Sequence, residues 1–212
     1  MNVNRRNDRG SAGATGRTQA ERSEATRSAL IESARTLFAE RGYAAVGTEE
    51  IVRAAGVSRG ALYHHFTGKR DLFEAVYEQV EAELAERIAS GALAANTSSP
   101  LQAMRAGAEM FLQACTEPEA QRIALLDGPS VLGWDRWREI AAKHGLGLIE
   151  ASLRAAIEAG ALADQPVRPL AHVLMGALDE AAMLVARAED PEQMRAEVGR
   201  TLDSLIAALS AG

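Results

Sequence analysis

Residues 48–72 read TEEIVRAAGVSRGALYHHFTGKRDL, and this segment is the most informative part of the chain. Its pattern predicts two short helices joined by Gly56, Val57 and Ser58, because glycine supplies a sharp turn and serine caps the start of a helix. The second helix is polar and ends in aromatic side chains. The segment therefore has the pattern of a helix-turn-helix, whose second helix enters the major groove of DNA.

The sequence before this segment predicts a further helix over about residues 22–41, which Gly42 ends. Together the three helices form a predicted head at residues 22–68. Its apolar interior is expected to consist of Leu30, Leu37, Phe38, Val46, Ile51, Ala54, Ala55, Val57, Leu62 and Phe66.

The rest of the chain, residues 69–212, is expected to form a larger helical domain. Strand signals are almost absent and aromatic residues make up only 4% of the chain, so an all-α fold with about nine helices is predicted. Gly128 and Pro129 are expected to stop the sixth helix. The six helices of this part are predicted at about 69–90, 100–115, 118–127, 135–158, 169–188 and 191–209.

Residues 1–21 are polar and of low complexity, which predicts a disordered tail. Two interpretations remain open for this tail. It is either inert, or a basic arm that touches DNA through Arg5, Arg6, Arg9 and Arg17.

The charge of the chain is divided along its length. The net charge is −6, but residues 1–71 contain 12 Lys or Arg against 8 Asp or Glu, whereas the remainder contains 11 against 21. A net charge of +4 on residues 1–71 and of −10 on the remainder confines the attraction for phosphate to one end of the chain.

Other features of the sequence favour the cytoplasm, in association with the nucleoid. Cys115 is the only cysteine, so no internal disulfide can form. No apolar run approaches the roughly 20 residues that span a bilayer, and the N-terminus has no apolar secretory segment. No membrane partner is therefore expected.

Residues 22–72 resemble the N-terminal domain of the TetR family of transcriptional regulators. The resemblance rests on an ordered set of residues that covers about a quarter of the chain, namely Phe38 to Gly42, Thr48, residues 56–66, Lys69 and Leu72. It implies that DNA is contacted by Thr48, Arg59, Gly60, Ala61, Tyr63, His64 and Lys69.

The chemistry of these residues suits such contacts. Gly60 and Ala61 are small enough to let the helix backbone approach base edges. Arg59 can fork onto guanine or grip a phosphate. The polar tips of Tyr63 and His64 suit phosphate oxygens. Tyr63 can alternatively be half-buried core.

The ends of two helices carry the remaining candidates. Thr48 and Lys69 each lie at a helix N-terminus, where free backbone N–H groups attract phosphate. Glu49 either caps its helix or accepts a bond from a cytosine amine. His64 and His65 are adjacent and point to different helix faces, so neither a metal site nor any other cofactor is predicted.

The segment from Ala124 to Ile140 resembles one recurrent subclass of TetR-type C-terminal domains. It contains both tryptophans, which suggests an apolar cavity for a hydrophobic or aromatic small molecule. The alternative is that the same residues only fill the core. The candidates are Met104, Phe111, Leu126, Leu132, Trp134 and Trp137 for the apolar lining, and Asp127, Arg138 and His144 for polar contacts.

The last two helices carry apolar residues at near-heptad spacing, which suits self-association. Two such helices from each of two subunits would form a four-helix interface, and the alternative is a monomer in which they pack on the chain's own core. Asp179 and Glu180 are expected to be solvated, and the alternative is that they face the ligand. The predicted interface residues are Leu174, Leu178, Ala182, Val185, Val198, Leu202, Leu205 and Leu209.

The sequence thus predicts a ligand-responsive transcriptional regulator, most simply a repressor, that binds a palindromic operator as a homodimer. A ligand-responsive activator is the alternative of the same class. A small helical enzyme would need Ser130, Asp127 and His144 as nucleophile, acid and base, but no strand-turn-helix elbow supports them. A nucleoid protein that coats DNA uniformly does not fit the acidic body.

Overall fold

The computed structural model describes residues 18–94 and 99–210. Over these ranges the chain is all-α with no strand, and α6, a π-helical stretch and α7 form one continuous segment, which gives the nine helices predicted. The helices are α1 (Gln19–Arg41), α2 (Thr48–Ala54), α3 (Arg59–His65), α4 (Lys69–Ala94), α5 (Pro100–Ala114), α6 (Pro118–Ala120), the π-helical stretch (Gln121–Asp127), α7 (Gly128–Leu132), α8 (Trp134–Glu158), α9 (Val167–Arg187) and α10 (Pro191–Ser210).

The start of α1 differs from the predicted tail. Thr18 caps the helix by accepting a hydrogen bond from the backbone N–H of Glu21, whose carboxylate accepts the N–H of Thr18 in return. This reciprocal capping box is encoded by the Thr-x-x-Glu spacing. Residues 18–21 therefore belong to the helix, while Arg5, Arg6, Arg9 and Arg17 lie outside the described residues.

The head formed by α1, α2 and α3 is built around fully buried side chains. Leu30, Phe38, Ile51 and Leu62 have no exposed surface. Ala54, which was expected in the interior, is instead exposed because it lies on the outer side of α2.

The core of the head continues into the body. Phe38 packs edge-on against Phe73 of α4 with ring centroids 5.4 Å apart, and Tyr43 packs against Phe73 at 5.2 Å. The same apolar cluster includes Trp137 and Ile140 of α8. Head and body consequently share one continuous core.

The predicted stop at Gly128 and Pro129 is wrong, because the helix passes through both residues in a widened form. The N–H of Gly128 bonds to the carbonyl of Ile123, five residues back. Proline has no N–H to continue this pattern, and the carbonyl five residues before Pro129 is that of Ala124. The indole N–H of Trp137 donates to this carbonyl at 2.9 Å, so the group is satisfied.

Glycine is required at position 128 by the same tryptophan. A Cβ on Gly128 would lie 2.9 Å from Cδ1 of Trp137, closer than real contacts allow. The helix then ends at Gly133, which has a φ of 79°.

The body packs α8 against α9, and α10 against both α5 and α9. Among the described residues, α9 alone has the length and mean hydropathy of a candidate membrane span, with a value of 1.3. A core helix of a soluble protein passes the same test, and the apolar face of α9 is used in this packing. One helix of this kind is weak evidence for a membrane segment.

Candidate nucleic-acid interface and ligand cavity

The turn between α2 and α3 sets the orientation of the second helix. Gly56 has a φ of 66°, a conformation that glycine adopts without steric cost. Ser58 then caps α3, its hydroxyl accepting the N–H of Ala61 at 3.2 Å. Leu62 and Phe66 are buried and fix the inner side of the helix to the head.

The outer side of α3 is open to solvent. Arg59, Gly60 and His64 are exposed, Ala61 is partly exposed, and Tyr63 retains 48% of its surface. The predicted DNA-contacting residues of α3 therefore share one accessible surface, which we call the α3 surface.

Arg59 is the principal cation of the α3 surface, and it has a partner there. Its guanidinium donates to the carboxylate of Glu49 at 2.7 Å and stacks over the ring of Tyr63 at 5.6 Å. Glu49 thus forms an exposed ion pair in addition to lying in the first turn of α2. Without DNA, the contacts with Glu49 and Tyr63 hold the Arg59 side chain on the α3 surface.

Lys69 and Thr48 lie beside the α3 surface at helix starts. The Lys69 ammonium donates to the carbonyls of Tyr43 at 2.9 Å and Val46 at 3.0 Å, and lies 4.0 Å from the centroid of the Tyr43 ring. Its side chain therefore ties down the loop before α2. Thr48 is the first residue of α2, and Gly47 is the N-cap without a side-chain bond.

The junction between head and body involves residues that the sequence did not assign to it. The Asp127 carboxylate accepts the backbone N–H of Tyr43 at 2.7 Å. Arg70 donates to the carbonyls of Val131 at 3.1 Å and Leu132 at 2.8 Å. These bonds join residues more than 60 positions apart, so no local pattern could reveal them.

A second set of bonds supports the junction from the other side. Arg35 of α1 forms a bidentate pair with Glu119 of α6 at 2.7 Å, and also pairs with Glu83 of α4. Bidentate geometry makes this pair more directional than a single-contact ion pair. The segment from α6 to α7 is therefore attached to the head through Glu119 and Asp127, and its last residues are attached to the start of α4 through Arg70.

A cavity of about 500 Å³ lies within the body, between α4, α5, α8, α9, α10 and the π-helical stretch. Met104, Phe111 and Trp137 line it, in agreement with their predicted positions. The remaining candidates do not line the cavity, namely Leu126, Asp127, Leu132, Trp134, Arg138 and His144.

Each polar residue that was predicted at the cavity but lies elsewhere contacts another group of the protein. Asp127 belongs to the junction, and Arg138 forms an ion pair with Asp179. The imidazole of His144 lies 3.7 Å from the carboxylate of Glu78. Trp134 is 58% exposed and contacts Trp137 with ring centroids 5.0 Å apart.

Leu126 and Leu132 are apolar candidates that also lie away from the cavity. Leu132 is buried in the core shared by head and body. Leu126 is partly buried, whereas its neighbours Ala124 and Leu125 reach the cavity. The π-helical turn changes which residues face inward, and this change could not be read from an α-helical period.

Two acidic residues reach the cavity: Glu81, which the sequence did not assign to it, and Asp179, for which a position facing the ligand was the alternative. Asp179 is only 8% exposed, so the expectation that it is solvated is wrong, although Glu180 is exposed. Burial raises the pKa of Asp179 to about 6, even though the Arg138 guanidinium acts in the opposite direction. Burial likewise raises the pKa of Glu81 to about 7, opposed by a hydrogen bond from Tyr77 and reinforced by the charge of Asp179.

Cys115 is the other reactive side chain at the cavity. Its burial, followed by the nearby carboxylates, raises the pKa of the thiol well above its ordinary value. Thiolate is the nucleophilic form of cysteine, so Cys115 is an inert part of the wall.

The three residues that a small helical enzyme would need as nucleophile, acid and base do not form a catalytic group. The Ser130 hydroxyl donates to the backbone carbonyl of Asp127 at 2.9 Å, and the Asp127 carboxylate accepts the N–H of Tyr43. His144 lies beside Glu78. None of the three side chains is placed to activate another.

The predicted dimer stripe faces mostly into the chain itself. Ala182 and Val185 are fully buried and Leu202 is 7% exposed, because this stripe packs α9 and α10 on the rest of the body. Leu174, Leu178, Val198 and Leu209 are partly buried in the same way. Of the eight residues predicted, only Leu205 remains exposed, at 48%.

Exposed apolar side chains on the two helices lie elsewhere. Val173 is 67% exposed and Leu184 is 46% exposed, both on α9. They lie on the outer side of the helix, opposite the residues that pack inward. These two positions were missed because they do not follow the strongest apolar period.

A helix-turn-helix head joined to a helical body with an internal cavity defines a class of one-component DNA-binding regulators. A family model described as "Bacterial regulatory proteins, tetR family" matches residues 30–76, and one described as "Tetracyclin repressor-like, C-terminal domain" matches residues 101–209. The chain belongs to the TetR family of transcriptional regulators, which are DNA-binding proteins rather than enzymes.

Individual relatives agree with this assignment. A TetR-family transcriptional regulator from Pectobacterium atrosepticum has a solved structure that is 33% identical, covers 92% of this chain and 99% of its own, and superposes with a TM-score of 0.80. The Transposon Tn10 TetC protein of Escherichia coli is 29% identical over 74% of this chain and 79% of its own length. The regulator CymR of Pseudomonas putida is 44% identical over 71 residues, which are 34% of this chain and 35% of CymR.

Proposed function

We propose that this protein is a ligand-responsive repressor that binds a palindromic operator as a homodimer. The proposal assigns DNA binding to the head at residues 22–68, and ligand binding and dimerisation to residues 69–212. One observation supports this proposal above the others. The head exposes the α3 surface to solvent, and it shares one continuous core with a body that contains a cavity.

DNA binding is proposed for the seven residues identified from the sequence. Arg59 supplies a guanidinium that can form two parallel bonds with a guanine edge, and residues 1–71 carry a net charge of +4. Thr48 and Lys69 flank α3 at helix starts and would contact phosphates. Gly60, Ala61, Tyr63 and His64 complete the accessible surface.

Dimerisation is proposed through the outer faces of α9 and α10. Val173 and Leu184 of α9 leave apolar surface in solvent, and a two-fold partner would cover it. Leu205 of α10 is also exposed, but it lines the cavity as well. A palindromic operator requires two heads related by the same two-fold axis. The dimer is thus the form in which the α3 surface can read both half-sites.

Ligand response is proposed to pass through the π-helical stretch. Ala120, Ala124 and Leu125 line the cavity, and Asp127 bonds to the head directly after them. A ligand that prefers one position of this stretch would change the population of head orientations. Release from DNA on ligand binding is the sign expected of a repressor, and ligand-dependent recruitment would identify an activator. DNA binding places the protein in the cytoplasm with the nucleoid.

Footprinting on the upstream region of the gene tests the proposal. A discrete two-fold symmetric site, protected at nanomolar protein and weakened by salt, is expected. Featureless coverage of the DNA would instead identify a coating protein. Loss of protection on adding the cavity's ligand would establish repression, and gain of protection would establish activation.

A further inference from the structure

The cavity has a single charged end, and its charge is negative. Of the residues that line it in the described part of the chain, only Glu81 and Asp179 carry ionisable acidic groups, and no Lys, Arg or His is among them. Ser152 and Cys115 are the other polar side chains of the wall. The remaining surface is aliphatic or aromatic.

The two carboxyl groups differ in their partners. Asp179 forms an ion pair with Arg138, which stands behind it and outside the lining. Glu81 forms no ion pair with any basic side chain of the described residues; the neighbouring groups that act on it are the Tyr77 hydroxyl and the Asp179 carboxylate. The hydroxyl of Tyr77 also lies 3.3 Å from the carbonyl of Trp137, so its one proton is shared between two acceptors.

Glu81 is partly buried, and it lines the cavity. A carboxylate that has lost part of its hydration without gaining a counter-charge is in an unfavourable place. The structure itself offers no cation to correct this. A cation brought by the ligand would do so.

We propose that the effector is a hydrophobic organic cation, a protonated amine on an apolar body, whose charged group binds Glu81 while its apolar part fills the rest of the cavity. This inference rests on the proposed function of the cavity as an effector site. An anionic ligand, such as a fatty acid, would meet two carboxyl groups and no compensating cation. The volume of about 500 Å³ lies within the range of about 300–1,000 Å³ that sites for drug-sized molecules occupy.

Three probes of the same shape test the sign of the charge. We would measure the binding of 4-phenylbutylamine, 4-phenylbutan-1-ol and 4-phenylbutanoate to the full-length protein by titration calorimetry at pH 7.5. Their apolar parts are identical, so differences in affinity report the head group. The amine is expected to bind about tenfold or more tightly than the carboxylate, with the alcohol between them.

Two variants connect the preference to one residue. Glu81→Gln keeps the size of the side chain and removes its charge, so it should abolish the preference for the amine while the alcohol still binds. Glu86→Gln is the matched control, because Glu86 is exposed on the same helix and does not line the cavity. It should leave all three affinities unchanged. Circular dichroism verifies that both variants are folded.

The possible failures are distinguishable. Equal or tighter binding of the carboxylate, with the alcohol bound, would overturn the cationic ligand and leave the effector cavity intact. A preference for the amine that survives Glu81→Gln would overturn the role of Glu81. If none of the three probes binds at millimolar concentration, both the inference and the proposed effector site are overturned.

Discussion

The head and the body of this protein present opposite kinds of surface. The α3 surface is open to solvent and carries Arg59 as its main charge, whereas the cavity is concave, mostly apolar and acidic. Phosphate is attracted to the first and repelled by the second. The proposed DNA site and the proposed effector site are thereby separated by charge as well as by position.

The shared core can be tested with the largest expected effect. Phe38→Ala removes a fully buried ring that contacts both Tyr43 and Phe73, and should lower the free energy of unfolding by about 3–5 kcal/mol. Both tryptophans lie in the body, at positions 134 and 137. Urea transitions followed by tryptophan fluorescence and by circular dichroism should coincide, because one core connects head and body. Two separate transitions would show that the regions unfold independently; Phe38→Leu is the milder control.

The acidic end of the cavity should make stability depend on pH. The folded pKa of Glu81 is about 7, above its ordinary value of 4.5, so the folded state binds the proton more tightly than the unfolded state. Stability from this group is therefore greatest below pH 4.5 and is lost as the pH rises to about 7. Asp179, with its pKa of about 6, acts in the same direction. Its effect is smaller because the neighbouring Arg138 guanidinium stabilises the charged carboxylate.

Replacing Glu81 isolates its share of this effect. In the parent protein, Glu81 should contribute up to about 3 kcal/mol to the fall in the free energy of unfolding between pH 5 and pH 7.5. Glu81→Gln should remove this contribution, so the free energy of unfolding should depend less on pH. Tyr77 and Cys115 face the same region but stay neutral over this range. Urea titrations at several pH values provide the measurement. An unchanged pH profile, with Glu86→Gln as control, would mean that Glu81 is solvated.

A substitution on the α3 surface should change operator affinity and leave ligand binding in the cavity unchanged. Arg59→Ala removes the guanidinium predicted to read a base and should weaken operator binding by about tenfold or more, with relaxed preference at one position of each half-site. Amine binding should be unaltered. Arg154→Ala, an exposed arginine of α8, is the control. A loss that is equal for all DNA sequences would reassign Arg59 to phosphate contact.

The junction can be weakened without touching either site. Asp127→Ala removes the acceptor of the Tyr43 N–H, whereas Asp127→Asn keeps an acceptor oxygen. The alanine variant should reduce the effect of ligand on operator affinity about three- to tenfold, which is a typical size for coupling between sites. Gel-shift titrations with and without ligand measure it. Equal responses of the two variants would show that this bond transmits nothing.

The smallest expected effect concerns the exposed pair on the α3 surface. Glu49→Gln frees Arg59 and removes a negative charge beside DNA, so operator affinity should rise about two- to fivefold at low salt. Glu40→Gln, an exposed carboxylate at the end of α1, is the comparison. A weaker complex would indicate that Glu49 itself contacts a base.

The sequence predicted the head in more detail than the body, and the reason is the distance over which contacts are made. The Gly56 turn, the Ser58 cap and the buried Leu62 all lie within seven residues of one another and follow local rules. Even the capping box at Thr18 is local, and its spacing was available. The all-α fold and its nine helices followed from composition and period.

The cavity joins residues from Glu81 to Ile206, so its acidic end depends on packing that no local pattern contains. Asp179 lies in an apolar run and was interpreted as solvated, since burial of a carboxylate is unfavourable without a partner. Its partner Arg138 is 41 positions away. Ala182, Val185 and Leu202 of the predicted dimer interface are likewise buried within the chain, because an apolar period shows that a face is buried but not against which neighbour.

The π-helical stretch contains one residue more than an α-helix of the same length along its axis. Deleting a single residue between 121 and 127 would restore ordinary helical phase and swing everything that follows by about 100°. Asp127 would then no longer point toward Tyr43, and Ala124 would no longer meet the indole of Trp137. The orientation of the body relative to the head thus depends on the number of residues in the π-helical stretch, and not on one side chain alone.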